Sequence, residues 1–164
     1  FLSHSEPVKT FNYTKPFVYR VLPEGFTIID GTDIDYAKLS ECFWRGFDHD
    51  EIPPAENIDG NIKCWNAPRA SLKLMTIAVS PNGEYACALG MWFDSQNKYA
   101  YLEPLATVPK YRRLGLATIC LTEAMKKTKD LGASYCFGGV KEFYTSIGFE
   151  TVCNRELWKK EWKI

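Results

Sequence analysis

The segment Leu105–Ala117 has the residue types of an anion-binding loop between a strand and a helix. The first amide N–H groups of a helix have no partner within it, and the helix dipole places partial positive charge beside them. Gly115 opens the helical pattern and lets the backbone approach a phosphate closely, and Ala117 is also small. Arg112 and Arg113 add positive charge. The loop therefore predicts a phosphate site, with an ordinary strand–helix connection as the alternative.

Pro104 lies inside the strand predicted at residues 99–108, just before this loop. Proline cannot donate a ladder hydrogen bond, so a central strand that carries it must bulge or splay there. A splay leaves backbone groups unpaired, and a ligand with amide groups could pair with them. Placement of the strand at the edge of the sheet is the alternative.

A third chemical feature is the run Phe143-Tyr144-Thr145-Ser146-Ile147-Gly148-Phe149. It predicts a short helix that carries Tyr144, breaks at Gly148 and re-enters a sheet at Phe149. Taken alone, Tyr144 would be interpreted as a packing residue.

Together these pieces resemble the GNAT superfamily of acetyltransferases. The run Arg112-Arg113-Leu114-Gly115-Leu116-Ala117 is similar to the family's Q/R-x-x-G-x-G/A acetyl-CoA loop. Phe143-Tyr144 and Gly148-Phe149 are similar to its later FY-x-x-x-GF motif, and the order and intervening helix agree. The resemblance covers roughly residues 26–155. The phrase Tyr101–Thr107 looks like a bacterial subgroup whose domain is often C-terminal in a longer chain, which fits the absent initiator Met.

The resemblance implies acetyl-CoA as the cofactor and assigns roles along this stretch. Backbone groups of 105–107 would contact pantetheine, and amides of 112–118 would hold the pyrophosphate. Tyr144 would protonate the departing thiolate, and Glu103 is the best candidate for the base. The implied cofactor-binding residues are Leu105, Ala106, Thr107, Arg112, Arg113, Leu114, Gly115, Leu116, Ala117, Thr118 and Tyr144. Many members carry an Asn after the fifth strand, where this chain has Phe137-Gly138-Gly139-Val140.

The expected reaction is acetyl transfer to a primary amine by direct attack in a ternary complex. A carboxylate in a partly dry cleft can have a raised pKa and take the amine proton. Backbone N–H groups can stabilise the oxyanion, so Cys120 and Cys136 need not be nucleophiles. A non-catalytic acyl-CoA-binding module is the second hypothesis. Another nucleotide-binding α/β protein is the third, and the lack of GxGxxG and GxxxxGK[ST] motifs counts against it.

Other side chains are weaker candidates. The run Asp48-His49-Asp50-Glu51 could recognise a cationic amine, with a solvated acidic loop as the alternative. Trp44, Trp65 and Trp92 could line an acceptor pocket or pack in the core. No CxxC pair occurs among the six cysteines and only two histidines are present, so we expect no metal site.

The elements that must position these residues follow from hydrophobic periodicity. Residues 1–25 predict an extended lead-in or linker with one strand at 17–21, and residues 26–164 a single GNAT-type domain. Within it we expect a helix capped by Thr32, a loop over 48–68, a helix over 115–131, and strands at 149–152 and 155–163. The fold class is α/β (α+β): a mixed, mostly antiparallel six- to seven-stranded sheet, flanked by helices and splayed between its two central strands.

Composition bounds the partners. The 164 residues carry 20 basic and 20 acidic side chains, and 46% are hydrophobic. A neutral chain argues against nucleic acid or a membrane surface as partner. The resemblance implies a small-molecule or peptide amine as the acceptor. Monomer and homodimer both remain open. Cysteines within apolar runs favour a reduced, cytoplasmic protein.

Overall fold

The computed structural model describes residues 1–49 and 52–162. The strands within these residues are β1 (Leu2–Asn12), β2 (Thr27–Ile29), β3 (Thr76–Val79), β4 (Tyr85–Asp94), β5 (Tyr99–Thr107), β6 (Tyr135–Phe137) and β7 (Glu150–Trp158). They form one sheet in the order β2-β3-β4-β5-β6-β1-β7. In the described part of the chain, β5 and β6 are the one parallel pair, and the other neighbours are antiparallel. The predicted mixed, mostly antiparallel sheet is confirmed.

Helices cover both faces of this sheet. They are α1 (Tyr36–Gly46), α2 (Ala55–Trp65), α3 (Leu116–Asp130) and α4 (Glu142–Ser146). Ala88 packs in the cluster formed with α1 and α2, whereas its neighbours Cys87 and Leu89 pack in the cluster formed with α3. Because successive strand side chains point to opposite faces, the two helical layers lie on opposite sides of the sheet. Among the described residues, no helix is both long and apolar enough to cross a lipid bilayer.

The first strand corrects the prediction of an extended lead-in over residues 1–25. β1 lies inside the sheet, pairing Thr10 with Phe137 of β6 and Glu6 with Arg155 of β7. Residues 17–21 form no strand. Local periodicity missed β1 because Pro7 interrupts its pattern and its first half is exposed on both faces. Its hydrogen-bond partners come from the far end of the chain, which no local pattern reveals.

The prediction of a loop over 48–68 was also wrong, because α2 occupies much of it. Only Trp65 is buried in this helix, so the apolar stripe that identifies most helices is absent. Tertiary contacts stabilise the helix instead, including a hydrogen bond of 3.1 Å from Asn61 Nδ2 to Ser40 Oγ on α1. Asp50 and Glu51, from the predicted acidic loop, lie outside the described residues.

Two smaller boundaries differ from the prediction. Asp35, not Thr32, caps α1: its Oδ1 accepts hydrogen bonds from Ala37 N (2.9 Å) and Lys38 N (3.1 Å). The strands predicted at 149–152 and 155–163 are one strand, β7, because its pairing with β1 continues through a register shift near Val8. Lys163, the end of the second prediction, lies outside the described residues.

The predicted splay lies between β5 and β6. Their parallel pairing ends where Tyr101 meets Phe137, and β5 continues to Thr107 beside β4 alone. On the β4 side, the register passes from Met91 opposite Leu102 to Leu89 opposite Leu105, so β5 holds one extra residue at Glu103–Pro104. The bulge predicted from Pro104 is therefore present on the β4 side of β5, just beyond the point where β6 stops pairing with β5.

Candidate functional site

The anion loop leads directly from β5 to α3. Gly115 is the N-cap of α3 and has φ +80°, in the left-handed region that favours glycine. The first α3 hydrogen bond runs from Ile119 N to Gly115 O (3.1 Å). The amides of Leu116, Ala117 and Thr118 therefore have no partner within the helix. The Leu116 and Thr118 side chains are buried, so only their backbone groups can meet a ligand.

The Arg112 side chain, like those of Lys110 and Tyr111, is bonded within the protein. Its Nη2 donates to Gly46 O (3.0 Å) and to Asp48 Oδ1 (2.6 Å), and its Nε donates to Thr107 O (3.2 Å). These bonds tie the loop to β5 and to the end of α1. Asp48 thus holds Arg112 rather than standing free as part of an acidic surface.

A second arginine reaches the loop from the crossing segment, which we define as residues 13–25. This segment runs along α3, held by a hydrogen bond of 2.7 Å from Thr122 Oγ1 to Val18 O. Lys126 Nζ also lies 4.7 Å from the centre of the Tyr19 ring. Arg20 then lies over Gly115: a Cβ placed on the glycine would be 3.6 Å from Arg20 Cγ. Sequence reasoning missed Arg20, since nothing local links it to a loop so far along the chain.

Tyr144 projects from α4 towards the splay. Its ring is held by edge contacts with Phe143 and Phe149, with centroid distances of 5.1 and 5.5 Å. Gly139 lies against the ring face, because a Cβ there would be only 2.3 Å from Tyr144 Cε2. Burial raises the pKa of the Tyr144 phenol, and the nearby Glu103 carboxylate raises it further. The hydroxyl therefore stays protonated at neutral pH.

Lys9 of β1 anchors the helix that carries Tyr144. Its side chain is buried, and its Nζ donates to Lys141 O (3.0 Å) and to Thr145 Oγ1 (2.9 Å). A buried ammonium group needs hydrogen-bond acceptors, and here they come from the first and last parts of α4. Sequence reasoning also missed Lys9, because β1 itself was not predicted.

Glu103 lies at the bulge of β5. Neighbouring atoms keep part of the water away from the Glu103 carboxyl, and this desolvation raises its pKa. The residue as a whole remains exposed. Its backbone oxygen accepts a hydrogen bond of 2.9 Å from Trp92 Nε1. Gly138 lies against Leu102 O and Gly139 against the Tyr144 ring, so the Gly138-Gly139 turn joins the bulge of β5 to the surroundings of Tyr144.

The pair Gly138-Gly139 stands where the resemblance to the GNAT superfamily predicts an Asn. Both residues have positive φ, +129° and +75°. A Cβ on Gly138 would lie 2.7 Å from Leu102 O, so the chain passes directly against β5 as the strands separate. The two glycines turn the chain away from β5 and leave room for Tyr144.

The remaining candidates from the sequence pack against other side chains or are buried. The His49 ring stacks on Trp44, with 4.1 Å between centroids. Cys120 and Cys136 are fully buried, and burial raises the pKa of Cys136 to about 12, so its thiol is not ionised near neutral pH. Among the described residues, no group of three or more His, Cys, Asp or Glu side chains could hold a metal ion.

This donor set fits a ligand with a pyrophosphate and an amide-containing arm. The α3 amides without a partner in the helix could contact an anion, and Gly115 places no side chain of its own beside them. Within the described residues β6 pairs with β5 only as far as Tyr101, so extended amide groups could pair with the rest of β5 on that side. Leu105 is half-buried and Ala106 buried along this stretch, whereas Arg113 and Leu114 are exposed at its end.

Solved structures with the same fold include several acetyltransferases. A GCN5-related N-acetyltransferase from Sphaerobacter thermophilus superposes with a TM-score of 0.69 at 16% identity, over 92% of this chain and 49% of that one. The GNAT family N-acetyltransferase YhbS from Escherichia coli, solved in complex with CoA, gives 0.61 at 21%, over 81% and 72%. A GNAT family acetyltransferase from Brucella melitensis, solved with acetyl-CoA, gives 0.60 at 17%, over 80% and 86%. At these identities the likeness establishes the fold.

The present chain spans 49% of the Sphaerobacter thermophilus structure and 57% of a GCN5-related N-acetyltransferase from Kribbella flavida, about half of their length. Among curated proteins, none matches its sequence. The model of the Acetyltransferase (GNAT) family matches residues 36–149, which include the anion loop, the splayed strands and Tyr144. The chain therefore belongs to the Acetyltransferase (GNAT) family.

Proposed function

We propose that this chain is an acetyl-CoA-dependent N-acetyltransferase that acts on a primary amine by direct attack in a ternary complex. The observation that carries the proposal is the position of Tyr144. This protonated phenol lies at the opening between β5 and β6, and the anion loop begins where β5 ends. A thioester held by the loop would extend along the opening towards the phenol.

Cofactor binding follows from the same arrangement. The amides of 113–118 would hold the pyrophosphate, and Arg20 would add a cation beside Gly115. Backbone groups of Leu105, Ala106 and Thr107 would meet the pantetheine arm, although Thr107 O already accepts a hydrogen bond from Arg112. When bound, acetyl-CoA supplies an acetyl group activated as a thioester.

The chain's own residues move the protons. The Glu103 carboxylate accepts a proton from the acceptor amine, directly or through a water, as the N–C bond forms. The Tyr144 hydroxyl donates a proton to the sulfur as the C–S bond breaks. Both groups regain their starting protonation from solvent, so the net change is one amide formed and one thiol released. A backbone N–H beside the bulge would stabilise the oxygen where negative charge develops.

Replacement of Tyr144 by Phe tests this mechanism, because it removes the hydroxyl and keeps the ring that packs on Phe149. We expect kcat to fall by about 10²- to 10⁴-fold, as for loss of a general acid, with CoA binding by calorimetry unchanged. Tyr19→Phe is the matched control, since that tyrosine is exposed on the crossing segment. Full turnover by Tyr144→Phe would show that the acid is assigned to the wrong residue.

A non-catalytic acyl-CoA-binding module is the alternative, and the observation that favours it is Gly138-Gly139 in place of the family's Asn. A screen of chemically diverse amines, with free thiol as the readout, separates the two functions. Thiol release with any amine supports the enzyme. Tight CoA binding without thiol release across the whole screen supports the module.

A further inference from the structure

A cleft of about 510 Å³ opens beside the β4–β5 hairpin, at the opposite end of β5 from the anion loop. We call it the aromatic cleft and define it by the six lining residues that concern its chemistry: Arg69, Trp92, Asp94, Tyr99, Tyr101 and Phe137. None of them has a role in the mechanism above. A space of this size accommodates a small molecule rather than a protein segment.

The aromatic walls of the cleft are already in place. The Tyr101 and Phe137 rings stack with 4.6 Å between centroids, and Tyr99 packs on Phe137 at 5.1 Å. Trp92 stacks at 5.2 Å on the buried Trp65, and its N–H is bonded to Glu103 O. Rings held in this way present flat apolar faces to a ligand and lose little conformational entropy when it binds.

The two charged side chains of the cleft are not equivalent. The Asp94 carboxylate accepts three hydrogen bonds of 2.9 Å, from Gln96 N, Asn97 N and Asn97 Nδ2. These bonds within the hairpin turn occupy most of its acceptor positions. Arg69 is exposed and makes no hydrogen bond or ion pair with a described residue. The guanidinium N–H groups of Arg69 are thus available to an anionic group of a ligand, whereas the oxygens of the charged Asp94 already accept hydrogen bonds from the turn.

The inner end of the cleft leads to the reacting groups. Glu103 lies two residues beyond Tyr101 on β5, and Trp92 of the cleft donates a hydrogen bond from its Nε1 to Glu103 O, so the cleft borders Glu103. From Tyr99 to Glu103 the strand rises by about 13 Å, at roughly 3.3 Å per residue. A ligand shorter than this, with a hydrogen bond at each end, could join Glu103 to the hairpin rim.

We propose that the aromatic cleft is the acceptor site. Its ligand would be a primary alkylamine that carries an aromatic ring, with an anionic group at the end of the molecule remote from the amine. The amine would lie at Glu103, the ring between Trp92 and Tyr101, and the anion at Arg69. This inference rests on the proposed acetyltransferase function for its catalytic consequence, but binding to the cleft can be measured without it.

Three probe amines separate the contributions of ring and charge. They are 4-(2-aminoethyl)benzoate, which has both features, 2-phenylethylamine, which lacks the anion, and 6-aminohexanoate, which lacks the ring. Calorimetry on the whole chain should show the benzoate binding at least about tenfold more tightly than either of the others, because each loses one set of contacts. Binding of all three within a factor of two, or of none, would overturn the proposal.

Substitution of Arg69 by Gln tests the charged end. We expect it to weaken benzoate binding by about tenfold and to leave 2-phenylethylamine unchanged. Lys63→Gln is the matched control, because it removes an exposed cation from the last turn of nearby α2. An equal loss of benzoate binding in both variants would contradict a specific contact at Arg69.

Thiol release from acetyl-CoA with the same probes distinguishes this inference from the proposed function. Selective benzoate binding without thiol release would support the cleft and count against the enzyme. Thiol release with 6-aminohexanoate at a kcat/KM equal to or above that of the benzoate, unaffected by Arg69→Gln, would overturn the cleft and leave the enzyme standing.

Discussion

Lys9 Nζ donates a hydrogen bond of 2.9 Å to Thr145 Oγ1, which joins the first strand of the chain to the residue after Tyr144. The same ammonium group donates to Lys141 O at 3.0 Å, so one side chain spans α4. α4 has only five residues, and none of them is buried. A helix this short has little stability of its own, so contacts from outside must hold it. Lys9 is therefore a positioning residue for the phenol.

Substitution of Lys9 by Met tests this role, since it removes both hydrogen bonds and keeps most of the side-chain volume. We expect kcat to fall by roughly tenfold with CoA affinity little changed, because Tyr144 loses its fixed position. We also expect the free energy of unfolding to drop by about 1–3 kcal/mol, because two acceptors lose their partner. Lys9→Arg should recover part of kcat, as a purely structural role would not require.

Lys15→Met is the matched control for Lys9. That lysine forms a partly exposed ion pair with Glu150 on β7, and such pairs contribute little to stability. We expect both kcat and the free energy of unfolding to stay close to wild type. If the folded Lys9→Met protein also keeps wild-type kcat, Lys9 does not position Tyr144.

Gly139→Ala should displace Tyr144 directly. The new Cβ would lie 2.3–2.5 Å from three atoms of the Tyr144 ring, which forces the ring or the turn to move. We expect a loss of kcat of at least about tenfold. Gly132→Ala is the control, because its φ of +94° imposes similar backbone strain and its Cβ would meet nothing within 4 Å. Each variant should lose about 1–3 kcal/mol of stability from strain, but only Gly139→Ala should show a lower kcat. Equal kcat values in the two variants would contradict the contact between Gly139 and the Tyr144 ring.

Arg20→Ala should weaken CoA binding by about three- to tenfold, because it removes a cation beside the anion loop. Calorimetry with CoA and with dephospho-CoA, which lacks the 3′-phosphate, measures the effect. An equal loss for both ligands would place Arg20 at the pyrophosphate. Arg155→Ala, which removes an exposed arginine from β7, should leave CoA binding unchanged. Wild-type affinity of Arg20→Ala for both ligands would exclude a contact.

The pH dependence of kcat/KM should reveal Glu103. A base acts only when deprotonated, and partial burial raises the pKa of Glu103 above its usual value of 4.5. The rate should therefore rise with pH through that raised pKa. Glu103→Gln should abolish this step, with a rate loss of about 10²- to 10⁴-fold, and retain only the limb from the acceptor amine. The control variant Glu56→Gln, at an exposed position on α2, should keep the wild-type pH dependence of kcat/KM. If Glu103→Gln also kept it, another group would be the base.

Local chemistry explains why much of this protein could be predicted from its sequence. Gly115 and the helical pattern after it define an anion site within a few residues, because unpaired amides and positive φ are local properties. Pro104 predicts the bulge in β5 for the same reason, since a missing N–H disrupts the ladder wherever the strand lies. The order of β3, β4, β5 and α3 follows from periodicity and turn residues that lie side by side in the chain.

Tertiary structure alone decided how distant segments complete the site. β1 forms by pairing with β6 and β7, and it brings Lys9 to α4. The crossing segment places Arg20 over Gly115, and the bonds of Arg112 to Gly46 and Asp48 hold the anion loop to the end of α1. None of these contacts leaves a periodic pattern, because each depends on a partner far away in the chain whose position exists only once the sheet has formed. The sequence thus determined which residues can do the chemistry, and the fold decided which side chains hold them in place.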